Sequence, residues 1–123
     1  MFEVTVIKEF AAAHKLLHYQ GKCQHLHGHS WKVELTVVGS ELDHRGMLID
    51  FRDVKNLLTA ILEKYDHAYL NDIPPFDMLN PTAENLARII FNDLKPLISA
   101  LHIKQVKVWE SSNCCAAYRE DEI

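Results

Sequence analysis

Hydrophobic and polar residues alternate at the start of the chain, and this alternation predicts a β-strand over residues 2–14. Apolar residues occupy the even positions, as expected for a strand with one buried face. Lys8 interrupts the apolar row, so we expect a bulge or an end of burial near it. If the parity continues past Lys8, the side chain of His14 also points into the core.

A second alternating segment runs from Trp31 to Val37 and predicts a second strand. Residues 15–29 before it are predicted to form a loop. When the apolar parity of this strand is carried backwards, it reaches His29 and His27. The two imidazoles share one face of the sheet if the strand extends that far, and a histidine on the first strand could then meet them.

Two apolar stripes with a spacing of three and four residues predict two helices in the middle of the chain. The first helix begins after Asp50, a residue that suits an N-cap, and runs to about Tyr65. Residues 66–80 are predicted to form a loop, because they include two consecutive prolines. The second helix is predicted to open with Pro81 in its first turn and to kink or end near Pro96.

Residues 103–109 and 114–119 alternate again and predict two further strands, which gives the order ββααββ. This order is typical of an α+β fold with a four-stranded antiparallel sheet and two helices on one face. Glu110 shares the parity of the apolar residues Val106 and Val108. A carboxylate at the end of an inward-facing row is costly to bury without a partner, so a ligand that donates hydrogen bonds is indicated there.

The composition is that of one soluble globular domain over residues 1–123, with 48% hydrophobic and 24% charged residues. A net charge of −4 argues against a nucleic-acid partner. The first residues do not form a signal peptide, and no apolar stretch approaches the roughly 20 residues of a membrane span, so we expect no membrane partner.

The three cysteines do not form a disulfide framework, and they favour a reducing, cytoplasmic setting. Cys114 and Cys115 lie in an apolar strand and are predicted to fill the core.

The segment 23–29 concentrates one thiol and three imidazoles in seven residues. His27 and His29, with one more distant histidine, would give a three-nitrogen site with an open fourth position, which is typical of a catalytic zinc. The candidates for the third ligand are His14, His18 and His25. The alternative interpretation is chance, because a chain with eight histidines places some of them close together.

Three other groups have both a chemical and a structural interpretation. Cys23 can be interpreted as a fourth metal ligand, as a thiolate that accepts a proton, or as a small residue with no chemical role. Asp66 can orient His67 as an acid or base, although polar residues also end helices commonly. Thr82 and Glu84 suit capping and dipole matching at the start of the second helix.

Six segments of the chain together resemble one family. They are FAAAHKL (10–16), CQHLHGH (23–29), GMLIDF (46–51), DHAYLN (66–71), PTAEN (81–85) and VWES (108–111). In order and spacing they resemble the 6-pyruvoyltetrahydropterin synthase and 6-carboxytetrahydropterin synthase superfamily. The resemblance covers nearly the whole chain.

The resemblance implies a role for each candidate residue. One zinc ion per subunit would be bound by His14, His27 and His29, with no redox cofactor. Cys23 would be a general base, and Asp66 with His67 a second proton-transfer pair. Glu110 would anchor a pterin ring, with Thr82 and Glu84 nearby.

The fold implied by the resemblance is the tunnelling fold, in which sheets of several subunits join into a barrel. Its usual assembly is a homohexamer of two stacked trimers with active sites at subunit interfaces. The implied substrate is 7,8-dihydroneopterin triphosphate. We expect the carboxy branch, which releases acetaldehyde and triphosphate and leads to 7-deazaguanine and queuosine, because segments 48–51 and 69–74 and the cysteine-bearing last strand resemble it.

Two other functions remain open from the sequence. The first is 6-pyruvoyltetrahydropterin synthase, which eliminates triphosphate but keeps the three-carbon side chain for tetrahydrobiopterin. The second is a zinc-binding oligomeric module without catalysis. A third branch of the superfamily carries glutamate in place of Cys23, and the cysteine therefore disfavours it.

Overall fold

One five-stranded sheet forms the framework of the fold. The computed structural model describes residues 1–17 and 27–120, without the side chain of His27. The strands are β1 (Phe2–His14), β2 (His27–Gly39), β3 (Ala68–Tyr69), β4 (His102–Ser111) and β5 (Cys114–Tyr118). Their order across the sheet is β3-β1-β2-β4-β5.

The four long strands are antiparallel, which confirms the predicted α+β class and sheet. The fifth strand, β3, was not predicted and pairs parallel to the end of β1, at Ala12 and Ala13. It lies in the segment 66–80 that was expected to be a loop, and a 3₁₀ helix, Leu70–Asp72, follows it. A two-residue strand shows no periodicity in the sequence, because alternation needs at least four residues to be visible.

β1 and β2 pair without interruption from Phe2 opposite Gly39 to His14 opposite His27. The bulge expected near Lys8 is therefore wrong, since Lys8 keeps its place in the ladder opposite Val33. The predicted loop is also too long, because β2 already begins at His27. The continuous ladder carries the parity of the first strand to His14, whose side chain is completely buried as expected.

The two helices are α1 (Phe51–Leu62) and α2 (Ala83–Leu94). Asp50 caps α1 as predicted, but the helix ends three residues before Tyr65 in a series of turns. Thr82 caps α2, so Pro81 precedes the helix instead of lying in its first turn. A 3₁₀ turn that contains Pro96 follows α2, which agrees with the predicted end.

Both helices pack against one face of the sheet and form the core with it. Trp31, Val33, Leu35 and Val37 of β2 are fully buried between the sheet and the helices. Cys114 and Cys115 are exposed, which contradicts the expectation that they fill the core. They lie at the start of β5, an edge strand with a neighbour on one side only, so a weakly polar segment there can remain outside the core.

Within the described part of the chain, neither helix is long and apolar enough to cross a membrane.

Candidate metal and catalytic site

Side chains from three neighbouring strands meet at one end of the core face. Glu110 of β4 places its Oε1 atom 3.2 Å from Nε2 of His29 on β2 and 3.7 Å from Nε2 of His14 on β1. One ligand atom from each of these three residues lies within 4.8 Å of the other two. The sheet therefore gathers two imidazole nitrogens and a carboxylate oxygen into one cluster.

The His14 ring is held in one orientation by the loop before α2. Its Nδ1 atom lies 2.8 Å from the backbone carbonyl oxygen of Pro81, and a carbonyl can only accept a hydrogen bond. Nδ1 of the neutral ring therefore carries the proton, and Nε2 presents its lone pair towards Glu110. This arrangement is typical of histidines that bind a metal through one nitrogen and are oriented through the other.

Trp31 forms the floor of the cluster. Its ring contacts the rings of His14 and His29 edge-on, with centroids 4.9 and 5.5 Å away, and it is fully buried. The two imidazoles also contact each other edge-on at 5.1 Å. A rigid apolar floor limits the rotamers of both histidines and keeps their ring nitrogens in place.

The donor set fits a first-row metal ion. The Nε2 atoms of His14 and His29 lie 3.7 and 3.2 Å from Oε1 of Glu110, so an ion held by the histidines would lie beside this carboxylate. Nε2 of a neutral imidazole and a carboxylate oxygen can both bind a cation, so one ion could contact both His14 and Glu110. Imidazole and carboxylate are also the ligand types that zinc takes in catalytic sites.

The structure describes the other candidates for the metal site only in part or not at all. His27 lies directly opposite His14 in the ladder and has the strand parity of His29, but its side chain lies outside the description. Cys23 and the alternative ligands His18 and His25 fall within residues 18–26, which are also outside the described residues. The assignment of Cys23 as a base stays a prediction.

Glu110 also borders a small depression that neither His14 nor His29 lines. The depression has a volume of about 170 Å³, and its lining residues are Ala83, Glu84, Glu110, Cys114, Cys115 and Ala116. Glu84 and Glu110 thus line the same depression, and their assignment to a common ligand stays a prediction. Thr82 has a structural role, because its hydroxyl accepts from the backbone N–H of Asn85 at 3.1 Å and caps α2.

Asp66 and His67 form a hydrogen-bonded pair at the turn between α1 and β3. Oδ1 of Asp66 accepts from the backbone N–H of Ala11 at 3.0 Å and lies 3.1 Å from Nδ1 of His67. The Ala11 N–H, together with the nearby imidazole, lowers the pKa of the Asp66 carboxyl below its ordinary value. Residues that are adjacent in sequence need not interact, so the sequence could only suggest the contact between Asp66 and His67. The structure shows it.

His67 is held in an uncommon backbone conformation. Its φ angle is 57°, in the left-handed region that residues with a Cβ seldom adopt, and its N–H donates to the Ala11 carbonyl at 2.6 Å. Its side chain is 83% exposed. Local strain of this kind persists only where surrounding contacts fix it, and it presents the imidazole to solvent.

His67 and His29 border the same open groove, which has a volume of about 590 Å³. The other lining residues are Ala11, Ala12, Ala13, Gly28, Ser30, Ala68 and Tyr69. A Cβ atom at Gly28 would meet nothing within 4 Å, so the groove is open there. The end of β1 that lines this groove consists of alanines, whose short side chains leave space between the two imidazoles.

Two features of the site were missed by sequence reasoning. The Pro81 carbonyl orients His14, but a backbone acceptor has no sequence signature. The exposed thiols of Cys114 and Cys115 line the depression next to Glu110. Their position directly after the polar turn 111–113 was the available signal that the strand there starts at the rim of the sheet.

Both the sequence and the fold of the chain match known proteins. The sequence profile of the 6-pyruvoyl tetrahydropterin synthase family matches residues 3–121. The 6-carboxy-5,6,7,8-tetrahydropterin synthase of Synechocystis sp. is 36% identical over 121 residues, which cover 92% of this chain and 91% of that protein. The protein of the same name from Haemophilus influenzae is 32% identical over 142 residues, with 98% and 100% covered.

The fold is found in solved structures as well. The 6-pyruvoyl tetrahydropterin synthase of Caenorhabditis elegans superposes with a TM-score of 0.87, covers 98% of this chain and 96% of its own, and is 24% identical. The corresponding protein of Plasmodium falciparum gives a TM-score of 0.76 at 23% identity, with 97% of each chain covered. At these identities the likeness establishes the fold.

Sheet, helices and sequence together define an enzyme of the tetrahydropterin synthase class. The chain belongs to the 6-pyruvoyl tetrahydropterin synthase family. The expected tunnelling fold and the expected enzyme are thereby confirmed, since the relatives that match almost over their full length are named as synthases.

Replacing Asp66 by Asn is expected to change the dependence of stability on acid pH. The folded-state pKa of Asp66 is lowered, so its carboxylate contributes stability above the unfolded value of about 3.9, and this contribution is lost as the pH falls through the folded pKa. Midpoints of thermal unfolding, measured from about pH 6 to about pH 2, should therefore fall less steeply in Asp66→Asn than in the wild type.

The control for loss of one negative charge is Asp53→Asn, at an exposed position of α1. Parallel acid limbs in Asp66→Asn and the wild type would contradict the stabilising role of the Asp66 carboxylate.

Proposed function

We propose that this protein converts 7,8-dihydroneopterin triphosphate to 6-carboxy-5,6,7,8-tetrahydropterin, with release of acetaldehyde and triphosphate. The observation that supports this most strongly is the His14, His29 and Glu110 cluster, with the Nε2 atom of His14 turned towards the carboxylate. The sequence relatives support the carboxy product, since those above 30% identity bear that name.

We assign zinc as the metal and His14, His27 and His29 as its ligands. The register supports this set, because His27 is opposite His14 and His29 is two residues further along the same strand. A zinc ion held by these residues would polarise the oxygen atoms of the substrate side chain and make removal of a carbon-bound proton easier. Pro81 keeps the His14 ring in the tautomer that such binding requires.

Glu110 then serves the substrate instead of the metal. A ring with adjacent N–H and amino groups donates two hydrogen bonds, and a carboxylate accepts both at once. The depression that Glu110 shares with Glu84 supports this assignment, because it is lined by Glu110 of the cluster but not by His14. The ring would occupy the depression, and its side chain would reach towards the histidines.

Two groups of the chain move protons in this proposal. The Cys23 thiolate accepts the carbon-bound proton of the side chain. Asp66 fixes the orientation of His67 through the contact between Oδ1 and Nδ1. His67 is thereby suited to return protons to the leaving fragments.

We further propose that the protein works as a cytoplasmic homohexamer, a dimer of trimers, in queuosine biosynthesis. The edge of β1 carries a neighbouring strand only at Ala12 and Ala13, and β5 is the other edge of the sheet. Exposed backbone edges are places where further strands pair, so these edges support closure of several sheets into a barrel. The exposure of His67 supports an active site that a second copy completes.

The product of the reaction tests the proposed function. Purified protein is incubated with 7,8-dihydroneopterin triphosphate, with and without a chelator, and the pterin is identified by mass spectrometry. We expect the carboxy product, trapped acetaldehyde and triphosphate, all abolished by chelation. A retained three-carbon side chain without acetaldehyde would show the pyruvoyl activity instead.

Replacing Cys23 by Ala separates catalysis from metal binding. Zinc content and assembly should persist, and turnover should fall by at least about 100-fold, because a general base contributes 10²–10⁴-fold. Cys23→Ser keeps a polar group of similar size and should lose turnover similarly. Loss of zinc in Cys23→Ala would make the thiolate a ligand, and unchanged turnover of a zinc-loaded variant would place the base elsewhere.

The three residues of the cluster are expected to differ in metal binding. His14→Ala and His29→Ala should each weaken zinc binding by more than about 100-fold, measured by chelator competition, because each removes a ligand. Glu110→Gln should keep zinc but raise KM, because the amide cannot accept both hydrogen bonds of the ring. An equal loss of zinc in Glu110→Gln would identify Glu110 as a ligand and contradict its assignment to the substrate.

A further inference from the structure

Two asparagine side chains bind the backbone of the segment that follows His14. Asn71 accepts from the Lys15 N–H at 2.9 Å and donates to the Lys15 carbonyl at 2.9 Å. Asn80 accepts from the Leu17 N–H at 2.8 Å and donates to the Leu17 carbonyl at 3.1 Å. Each carboxamide thus satisfies both backbone groups of one residue.

These contacts reproduce the pairing of a strand with side chains in place of a backbone. A carboxamide has one acceptor and two donors, so it can pair with an N–H and a C=O as a peptide group does. Lys15 and Leu17 are alternate residues, and alternate residues of a strand expose their N–H and C=O groups to the same side. β1 ends at His14, so the two asparagines continue its pairing for three more residues.

Asn80 belongs to the same loop that orients the His14 ring. Its own carbonyl accepts from the Thr82 N–H and from the side chain of Asn85, both at 2.8 Å. The next residue, Pro81, holds Nδ1 of His14. The loop before α2 therefore fixes the His14 ring and the backbone three residues beyond it as one unit.

The segment after Leu17 carries Cys23. In the sequence Cys23 lies six residues after Leu17 and four residues before His27. Both ends of that segment are anchored by described residues, since Asn80 holds Leu17 and the ladder pairs His27 with His14.

We propose that Asn71 and Asn80 are positioning residues of the active site, which fix the start of the Cys23 segment relative to His14. The inference rests on the proposed function for the role of Cys23. We call the four hydrogen bonds from the two asparagine side chains to Lys15 and Leu17 the clamp, and its existence does not depend on the proposed function. Neither asparagine touches the reacting atoms in this proposal, and both act through the backbone that they hold.

Amide hydrogen exchange tests the clamp independently of the reaction. The Lys15 and Leu17 N–H groups should be protected in the wild-type assembly. Asn71→Ala should remove protection at Lys15, and Asn80→Ala should remove it at Leu17. Asn80→Asp keeps the acceptor for the Leu17 N–H but lacks the donor, so protection should be intermediate. Rapid exchange of both amides in the wild type would overturn the clamp.

Kinetics and metal binding then separate positioning from folding. With 7,8-dihydroneopterin triphosphate, Asn80→Ala should lower kcat about 10- to 100-fold and change KM by less than about threefold, since a misplacement near 1 Å can cost 10² in rate. Zinc content and assembly should match those of Asn92→Ala, an exposed control on α2. Asn71→Ala provides the same test in a variant that leaves the loop before α2 unchanged.

The outcomes are distinct. If an asparagine variant loses amide protection but keeps an unchanged kcat, the positioning role is overturned. If both asparagine variants lose assembly or zinc, the two residues are merely structural. If the wild type does not turn over the substrate, the proposed function fails. The clamp is then decided by exchange and by the visible spectrum of the cobalt-substituted protein, which should change in Asn80→Ala but not in Asn92→Ala if the clamp positions His14.

Discussion

The unbroken ladder between β1 and β2 is the constraint on which the site depends. It pairs His14 with His27 and Ala12 with His29, so imidazoles from two strands share one end of one face. A shift of one residue would move every side chain of a strand to the opposite face. The same shift would expose the fully buried row of Trp31, Val33 and Leu35, so the hydrophobic core fixes the register that the chemistry requires.

The electrostatics of Glu110 follow from that geometry. Nδ1 of His14 donates to the Pro81 carbonyl, so Nε2 is the ring nitrogen that faces a carboxylate oxygen of Glu110 at 3.7 Å. A carboxylate in a partly buried place is unfavourable unless a cation or a hydrogen-bond donor lies beside it. The sequence indicated the same need from parity alone, because Glu110 ends an inward-facing row. The structure adds that Glu110 contacts the histidine pair and also lines the depression that contains Glu84.

Strong periodicity made most of the fold predictable. The four long strands, both helices and the inward direction of His14 follow from alternation and from apolar stripes that extend over many residues. The features that escaped are short or lie at an edge. β3 has two residues, and the exposure of Cys114 and Cys115 depends on β5 being the last strand of the sheet, which composition does not reveal. For the site, the residue types of the cluster were predictable, whereas the Pro81 carbonyl and the two asparagine clamps depend on contacts between segments distant in sequence.

The positions of the two chemical groups bear on how the protein can work. The histidine cluster lies against the buried ring of Trp31, but Asp66 and His67 lie at the β3 edge with side chains 42% and 83% exposed. An exposed carboxylate and imidazole interact weakly because water screens them, so such a pair gains strength only when another surface excludes water from the groove. The alanines of β1 and Gly28 leave room along that groove for such a surface. The assembly that we propose would therefore close the sheet edges and also exclude water from the groove beside Asp66 and His67.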